Sequence, residues 1–258
     1  MKKECNILKQ SSLYARNWVN TQPNVKEESI TDWLLFNVSE RSKRIIYRDF
    51  TRFEEAKTTG ADWEWWFIFP NVSYKFRVQA KKTKTTSNNY SGITYPNKTC
   101  SQMNKLISDA YLNNALPIYA FYTNEIDRVK CKKNILDEGV YLTSALDLKN
   151  KFILPKITKI NHNDILEDAI PLSCLLCCEL HKQSNSNSEN FGKFVEEYFN
   201  LRPDIENNGS EKLGRHTTLP NYITSMMEFT NKDLPDWWEN EFRNFIDGLN
   251  GIMIIDNR

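Results

Sequence analysis

The sharpest pattern of hydrophobic and polar positions lies between residues 60 and 84, and it predicts a β-hairpin. Residues 62–69 are almost all aromatic or β-branched, and these residue types favour strands. Residues 70–73 supply turn-forming types, and residues 74–78 then alternate large apolar side chains with basic ones. The pattern therefore predicts two antiparallel strands joined by a tight turn.

Periodicities typical of helices and of strands alternate through the first half of the chain. Apolar residues recur at spacings of three and four before the hairpin and again after it, which indicates helices with one buried face. The predicted elements are helices over 5–20 and 25–40, a strand over 44–50, the hairpin, a helix over 101–114 and a buried strand over 116–122. After the first helix the order is αβββαβ, which predicts an α/β fold.

The pattern is weaker in the second half of the chain. It predicts helices at about 191–200, 220–229 and 235–248, followed by a returning strand over 251–256. A chain of 258 residues is long enough to bury one full core. We therefore expect an N-terminal helix over 1–24, a core over 25–150, and a mostly helical C-terminal extension over 151–258 that packs on the core.

Polar side chains stand in the hairpin at positions where an ordinary sheet would carry apolar ones. Side chains two apart on a strand share a face, which groups Asp62 with Glu64 and Gln79 with Lys81. A carboxylate and an amide oxygen are ligands that a hard cation prefers. A nearby lysine can position a water and offset charge on a phosphate. An acid, a hairpin and Gln-x-Lys therefore favour a metal-dependent phosphodiesterase.

These residues resemble the PD-(D/E)xK nuclease superfamily, in the subset whose second motif is QxK, as in type IV and related restriction endonucleases. Asp62 corresponds to the first acid, Gln79 to the position that is often Glu, and Lys81 to the lysine. The stretch GADWEWWF followed by VQAKK is more closely similar to an uncharacterised bacterial family with the same nuclease core. The resemblance extends over about 25–125 and implies a restriction-endonuclease-like core with a mixed central sheet.

The resemblance also implies how the site works. Asp62 and Gln79 would hold Mg²⁺ or Mn²⁺, and Lys81 would orient the attacking water while the metal polarises the scissile phosphate. Glu64 lies on the predicted face of Asp62 and would join these residues.

A further acid is expected, because one Asp and one Gln bring a single negative charge to a divalent cation. In the resembling family the first helix carries a Glu within a Glu-Ser-x-Thr-acid pattern, which Glu28 matches. Glu55, shortly before the hairpin, is the second candidate. Glu27 and Glu28 could instead serve only to complement the dipole at the start of their helix.

The charge distribution bears on nucleic-acid binding. The formal net charge is only +1, but no acid occurs between Glu64 and Asp109, where basic residues are frequent. This region is either a nucleic-acid-binding surface or a solvated loop. The candidate contacts are Arg77, Lys82, Lys84, Tyr90 and Gln102. DNA is favoured over RNA by the resemblance alone.

Cysteines and tryptophans allow two interpretations each. Cys174, Cys177 and His181 invite a zinc site, but the second ligand pair is missing, which favours cysteines in a buried helix. The six cysteines form no disulfide framework in a chain of this length, so we expect reduced thiols.

Two pairs of adjacent tryptophans could stack on bases or form part of the core, and core is the commoner role. These pairs are Trp65 with Trp66 and Trp237 with Trp238.

The function predicted from the sequence is a magnesium- or manganese-dependent nuclease, with a role in defence against foreign DNA implied by the resemblance. The alternative is a nucleic-acid-binding subunit whose metal site is unproductive, because Gln79 replaces an acid and removes one negative charge. No stretch approaches the roughly 20 apolar residues of a membrane-spanning helix, so we expect a cytoplasmic protein. A homodimer or a partner protein is left open.

Overall fold

The structure is a computed structural model that describes residues 2–50, 60–84, 89–90, 93, 96–124, 129–131, 137–157, 160–178, 187–199, 212–229 and 234–258. Its helices are α1 (Lys2–Thr21), α2 (Glu27–Arg41), α3 (Pro96–Leu112), α4 (Ala145–Leu148), α5 (His162–Leu166), α6 (Cys174–Cys177), α7 (Asn187–Phe199), α8 (Asn221–Glu228) and α9 (Asp236–Ile246), with a π-helical turn over Lys149–Ile153. Its strands are β1 (Ile45–Asp49), β2 (Trp63–Phe69), β3 (Val72–Lys84), β4 (Asn89–Tyr90), β5 (Leu116–Tyr122), β6 (Val140–Ser144), β7 (Ile170–Pro171), β8 (Arg215–His216) and β9 (Gly251–Asp256).

The predicted hairpin is confirmed. Strands β2 and β3 pair antiparallel from Trp63 opposite Val78 to Phe69 opposite Val72, with the turn at residues 70 and 71. Every residue of β2 is buried, which explains why its sequence is apolar and aromatic almost throughout. The hairpin therefore lies in the middle of the sheet rather than at its edge.

The sheet is mixed, which confirms the predicted α/β fold class. Its strand order is β1-β9-β2-β3-β5-β6-β7, while β4 and β8 pair with β3. Strand β9 runs parallel to β2, and β5 runs parallel to β3 across the α3 connection. The C-terminal segment 251–256 forms the predicted strand, and it inserts between β1 and β2. Strands β1, β2 and β3 follow one another along the chain as predicted, but β1 pairs with β9 rather than with β2, and the two-residue strand β4 precedes α3.

Helices cover both faces of the sheet. Alternate residues of β2 point to opposite sides, so that Trp63, Trp65 and Phe67 pack with α1, α2, α6 and α7. Trp66 and Ile68 pack with α3, α4, α5, α8 and α9. The core interpretation is confirmed for Trp65, Trp66 and Trp238, whereas Trp237 is 49% exposed. Over the described residues, no helix is both long and apolar enough to cross a bilayer.

The cysteines differ in part from the expectation. A disulfide links Cys5 in α1 to Cys177 in α6, with a Cα–Cα distance of 5.5 Å, so the prediction of reduced thiols was wrong for this pair. Sequence spacing did not indicate the bridge because 172 positions separate the two residues. Cys174 and Cys178 are buried thiols, as the core interpretation predicted. His181 lies outside the described residues.

Candidate functional site

Asp62 and Gln79 meet at the end of the β2–β3 hairpin. The backbone N–H of Asp62 donates to the Val78 carbonyl at 2.9 Å, which extends the ladder by one residue beyond β2. The Asp62 side chain then accepts two hydrogen bonds on Oδ2, from Gln79 Nε2 at 2.5 Å and from the Ala80 N–H at 2.9 Å. The convergence of carboxylate and amide expected from strand alternation is therefore present.

The start of α2 brings an acid to the same place. Glu27 Oε1 lies 3.4 Å from Lys81 Nζ, and Glu27 Oε2 accepts the Lys82 N–H at 3.0 Å. The side chain of Lys81 is only 8% exposed, so its ammonium is held between the strand and the helix. Lys82 Nζ in turn donates to the Pro23 carbonyl, just before α2. The helix that was predicted to lend a carboxylate does lie against the Gln-x-Lys segment.

Glu27 rather than Glu28 makes the direct contact with Lys81. Sequence reasoning selected Glu28, because that residue matches the family pattern, and did not assign Glu27 to the site. The two residues are adjacent in the first turn of α2 but point about 100° apart around the helix. Helical periodicity could have selected Glu27, because it shares a face with the buried Ile30 and Leu34. Within the described part of the chain the Glu28 carboxylate has no hydrogen bond or ion pair, and its charge acts on Asp62. Both carboxylates therefore belong to this end of the hairpin.

The Asp62 carboxyl is electrostatically unusual. Burial raises its pKa to about 7, and the Ala80 N–H and the Lys81 ammonium offset only part of this effect. The nearby carboxylates of Glu27 and Glu28 raise the pKa further. Three acids thus share a site with one buried lysine, an excess of negative charge that a divalent cation would relieve.

The raised pKa predicts a pH-dependent cost to stability. Below pH 3.8, the ordinary pKa of an aspartate, Asp62 is protonated in both the folded and the unfolded state, so its ionisation does not lower the free energy of unfolding. As the pH rises towards 7 only the unfolded state releases the proton, so the cost grows and then stays constant. Asp62→Asn should therefore raise the free energy of unfolding by roughly 1–3 kcal/mol at pH 8 and by much less at pH 4.

Urea denaturation of both proteins at the two pH values measures this difference. Glu189→Gln, in the first turn of α7, is a control that removes a carboxylate elsewhere in the chain. An equal effect of Asp62→Asn at pH 4 and pH 8 would show that the carboxyl titrates normally.

Gln79 is held on both sides. Its Nε2 donates to Asp62 Oδ2 and to the Ala80 carbonyl, the latter at 3.1 Å. Its Oε1 accepts from Gln102 Nε2 at 2.9 Å, and Gln79 is 2% exposed. In this orientation the amide N–H, not the carbonyl, faces Asp62. Gln102, predicted as a nucleic-acid contact, instead touches the site through Gln79.

Glu64 belongs to a separate buried network. Its carboxylate pairs with Lys75 and with Arg77, each at 3.2 Å, and accepts hydrogen bonds from Trp66 Nε1 and the Tyr222 hydroxyl, each at 2.6 Å. Arg77 reaches on to Asp109 at 3.1 Å. Glu64 shares the strand face of Asp62 but is committed to these partners, and Arg77 is 2% exposed rather than presented to solvent.

The remaining predicted residues are only partly described. Glu55 lies within 51–59, outside the described residues. Lys84 and Tyr90 lie on described strands, but their side chains are outside the description. Lys82 is partly exposed and lies beside Glu27.

The residues at the hairpin end fit a hard cation in part. In the described ranges no three His, Cys, Asp or Glu side chains are grouped closely enough to hold a metal by themselves. Both hydrogen bonds that Asp62 accepts from the described residues end on Oδ2. The Gln79 carbonyl could join Asp62 only if its amide turned. Asp62, Glu28 and a turned Gln79 are the oxygen donors that would hold the ion.

A search of curated proteins found no match to this sequence. A protein-family model matches residues 4–257, which include α2, the whole β2–β3 hairpin, α3 and the C-terminal strand β9. The chain therefore belongs to the family of unknown function DUF6615.

Proposed function

We propose that this protein is a metal-dependent nuclease whose active site lies at the end of the β2–β3 hairpin. The observation that carries the proposal is the grouping of Asp62, Gln79 and Lys81 with the α2 carboxylates, together with the raised pKa of Asp62. A buried carboxyl crowded by like charges beside a lysine is an arrangement common to catalytic sites. The Gln-x-Lys resemblance supports the same assignment.

Each residue has a distinct role in this mechanism. Asp62 and Glu28 would hold the metal, with a turned Gln79 as a further oxygen donor. The positive charge held there would polarise the scissile phosphate. Lys81 orients the attacking water and adds positive charge beside the phosphate. Glu27, at the start of α2, holds the Lys81 ammonium in place through an ion pair at 3.4 Å.

The substrate and setting follow from the resemblance. We propose DNA in preference to RNA, a cytoplasmic location and a role in defence against foreign DNA. The structure adds one constraint: because Arg77 is buried, phosphate contacts must come from other residues, of which Lys82 is the described candidate.

Cleavage assays with and without Mg²⁺ test the proposal. Linear, nicked, methylated and single-stranded DNA and an RNA of equal length would be incubated with the protein in Mg²⁺, in Mn²⁺ and in EDTA. We expect metal-dependent cleavage of at least one DNA. Cleavage should increase between pH 6 and pH 8, because Asp62 must lose its proton to bind the metal. The apparent Mg²⁺ affinity should fall about tenfold for each pH unit below 7.

A nucleic-acid-binding subunit without catalysis is the second candidate. The observation that favours it is the orientation of Gln79, whose carbonyl is taken by Gln102 and whose N–H faces Asp62. This candidate predicts that DNA binds, as measured by fluorescence anisotropy, and that no substrate is cleaved in any metal. Metal-dependent cleavage that Asp62→Asn abolishes would exclude it.

A further inference from the structure

We propose that Gln102 is a positioning residue that controls which end of the Gln79 amide faces Asp62, and that both amides turn over when a divalent cation binds. This inference rests on the proposed metal site and assigns a role to a residue outside it. In the structure the N–H₂ end of the Gln79 amide faces Asp62.

The hydrogen bonds between α3 and Asp62 form a chain with one direction. Gln102 Nε2 donates to Gln79 Oε1 at 2.9 Å, and Gln79 Nε2 donates to Asp62 Oδ2 at 2.5 Å. Every link donates towards Asp62. An ionised carboxylate accepts such a bond readily, so the chain stabilises the charge of Asp62 in place of a metal.

A cation on Asp62 reverses the preference of Gln79. The amide N–H₂ group carries partial positive charge and would repel the ion, whereas the carbonyl oxygen would bind it. Rotation about the last side-chain bond of Gln79 exchanges the two ends, and this torsion is roughly two-fold, so both orientations are accessible. The turned amide then directs its N–H₂ towards residue 102.

Residue 102 must then accept a hydrogen bond from the turned Gln79 amide, whereas in the structure it donates one to Gln79. Gln79 is 2% exposed, so an amide N–H without an acceptor would be costly. Glutamine carries a donor and an acceptor at the same reach and can serve either orientation by turning itself. In the described part of the chain the Gln102 side chain makes no hydrogen bond other than the one to Gln79.

The variants of residue 102 separate this role from simple packing. Gln102→Met keeps a similar length but offers no strong hydrogen-bonding group, and we expect Mn²⁺ to bind about tenfold more weakly, as when an outer-shell partner is lost. Gln102→Glu keeps an acceptor, so we expect affinity no weaker than that of the unmodified protein. Asn104→Glu places the same charge at an exposed α3 position two residues away and shows how much of any tightening comes from charge alone.

Isothermal titration calorimetry with Mn²⁺ at pH 8 measures these affinities. The rotation itself is followed on the unmodified protein by ¹⁵N NMR of the side-chain amides, assigned by their loss in Gln79→Met and Gln102→Met. Titration with Mg²⁺ should shift the NH₂ resonances of both glutamines together, and Asp62→Asn should abolish both shifts.

The outcomes distinguish the two proposals. Wild-type affinity in Gln102→Met, or a Gln102 resonance that Mg²⁺ does not move while the ion binds, would overturn the positioning role and leave the metal site standing. Failure of the unmodified protein to bind Mn²⁺ or Mg²⁺ at all would overturn both.

Discussion

Lys81→Met is expected to lower metal-dependent cleavage by about a hundredfold or more while leaving nucleic-acid affinity nearly unchanged. The ammonium of Lys81 is almost completely buried beside Glu27, where the low local dielectric strengthens its effect on developing charge. Its contribution to binding is small, because one cation among several accounts for about one unit of the salt dependence. The loss should therefore appear in kcat rather than in KM.

Single-turnover cleavage and fluorescence anisotropy on the same DNA measure the two quantities separately. Lys212→Met is the matched control, since Lys212 forms an exposed pair with Glu196 on a different part of the surface. Full activity in Lys81→Met would place the active site elsewhere in the chain. A parallel loss of affinity and rate would instead make Lys81 a phosphate contact.

Glu64→Ala should lower the free energy of unfolding by about 3–5 kcal/mol, the range observed when one partner of a buried ion pair is removed. Burial raises the pKa of Glu64, but Lys75 and Arg77 more than compensate and hold it below its ordinary value. The substitution would leave both cations buried opposite an alanine. It would also remove the acceptor of the Tyr222 hydroxyl.

Urea denaturation at pH 7 measures this loss, and the exposed Glu196→Ala should cost less than about 1 kcal/mol. The depressed pKa adds a pH dependence of known sign: the stabilisation by Glu64 is complete above the ordinary value of 4.5 and is lost as the pH falls below it. If Glu64→Ala is fully stable but binds Mn²⁺ weakly, Glu64 belongs to the metal site and not to a structural ion-pair network.

Asp62 and Glu64 show why neighbouring acids on one strand face take different roles. Both were predicted to share a face, and strand geometry supports that inference. Glu64 lies opposite Arg77 in the hairpin register and is neutralised by it, whereas Asp62 lies one step beyond the paired strand and meets an amide. Direct pairing with Lys75 and Arg77 makes Glu64 structural, whereas burial, which the Lys81 ammonium offsets only in part, raises the pKa of Asp62 to about 7.

The local structure could be predicted from the sequence. The hairpin, the order αβββαβ and the grouping of Gln79 with Lys81 all follow from periods of two or of about 3.6 residues, which are local properties of the backbone. The buried character of Trp65 and Trp66 follows from the same apolar run. The C-terminal strand could also be recognised, because GIMIID is a short apolar segment.

The contacts between those elements could not be predicted from the sequence and became visible in the folded chain. The insertion of β9 between β1 and β2, the disulfide between Cys5 and Cys177, and the ion pair of Glu27 with Lys81 all join residues far apart in the sequence. The orientation of Gln79 likewise depends on Gln102, which approaches from α3. Such contacts depend on how helices pack across a sheet, and periodicity along a single segment carries no information about the segment that will cover it.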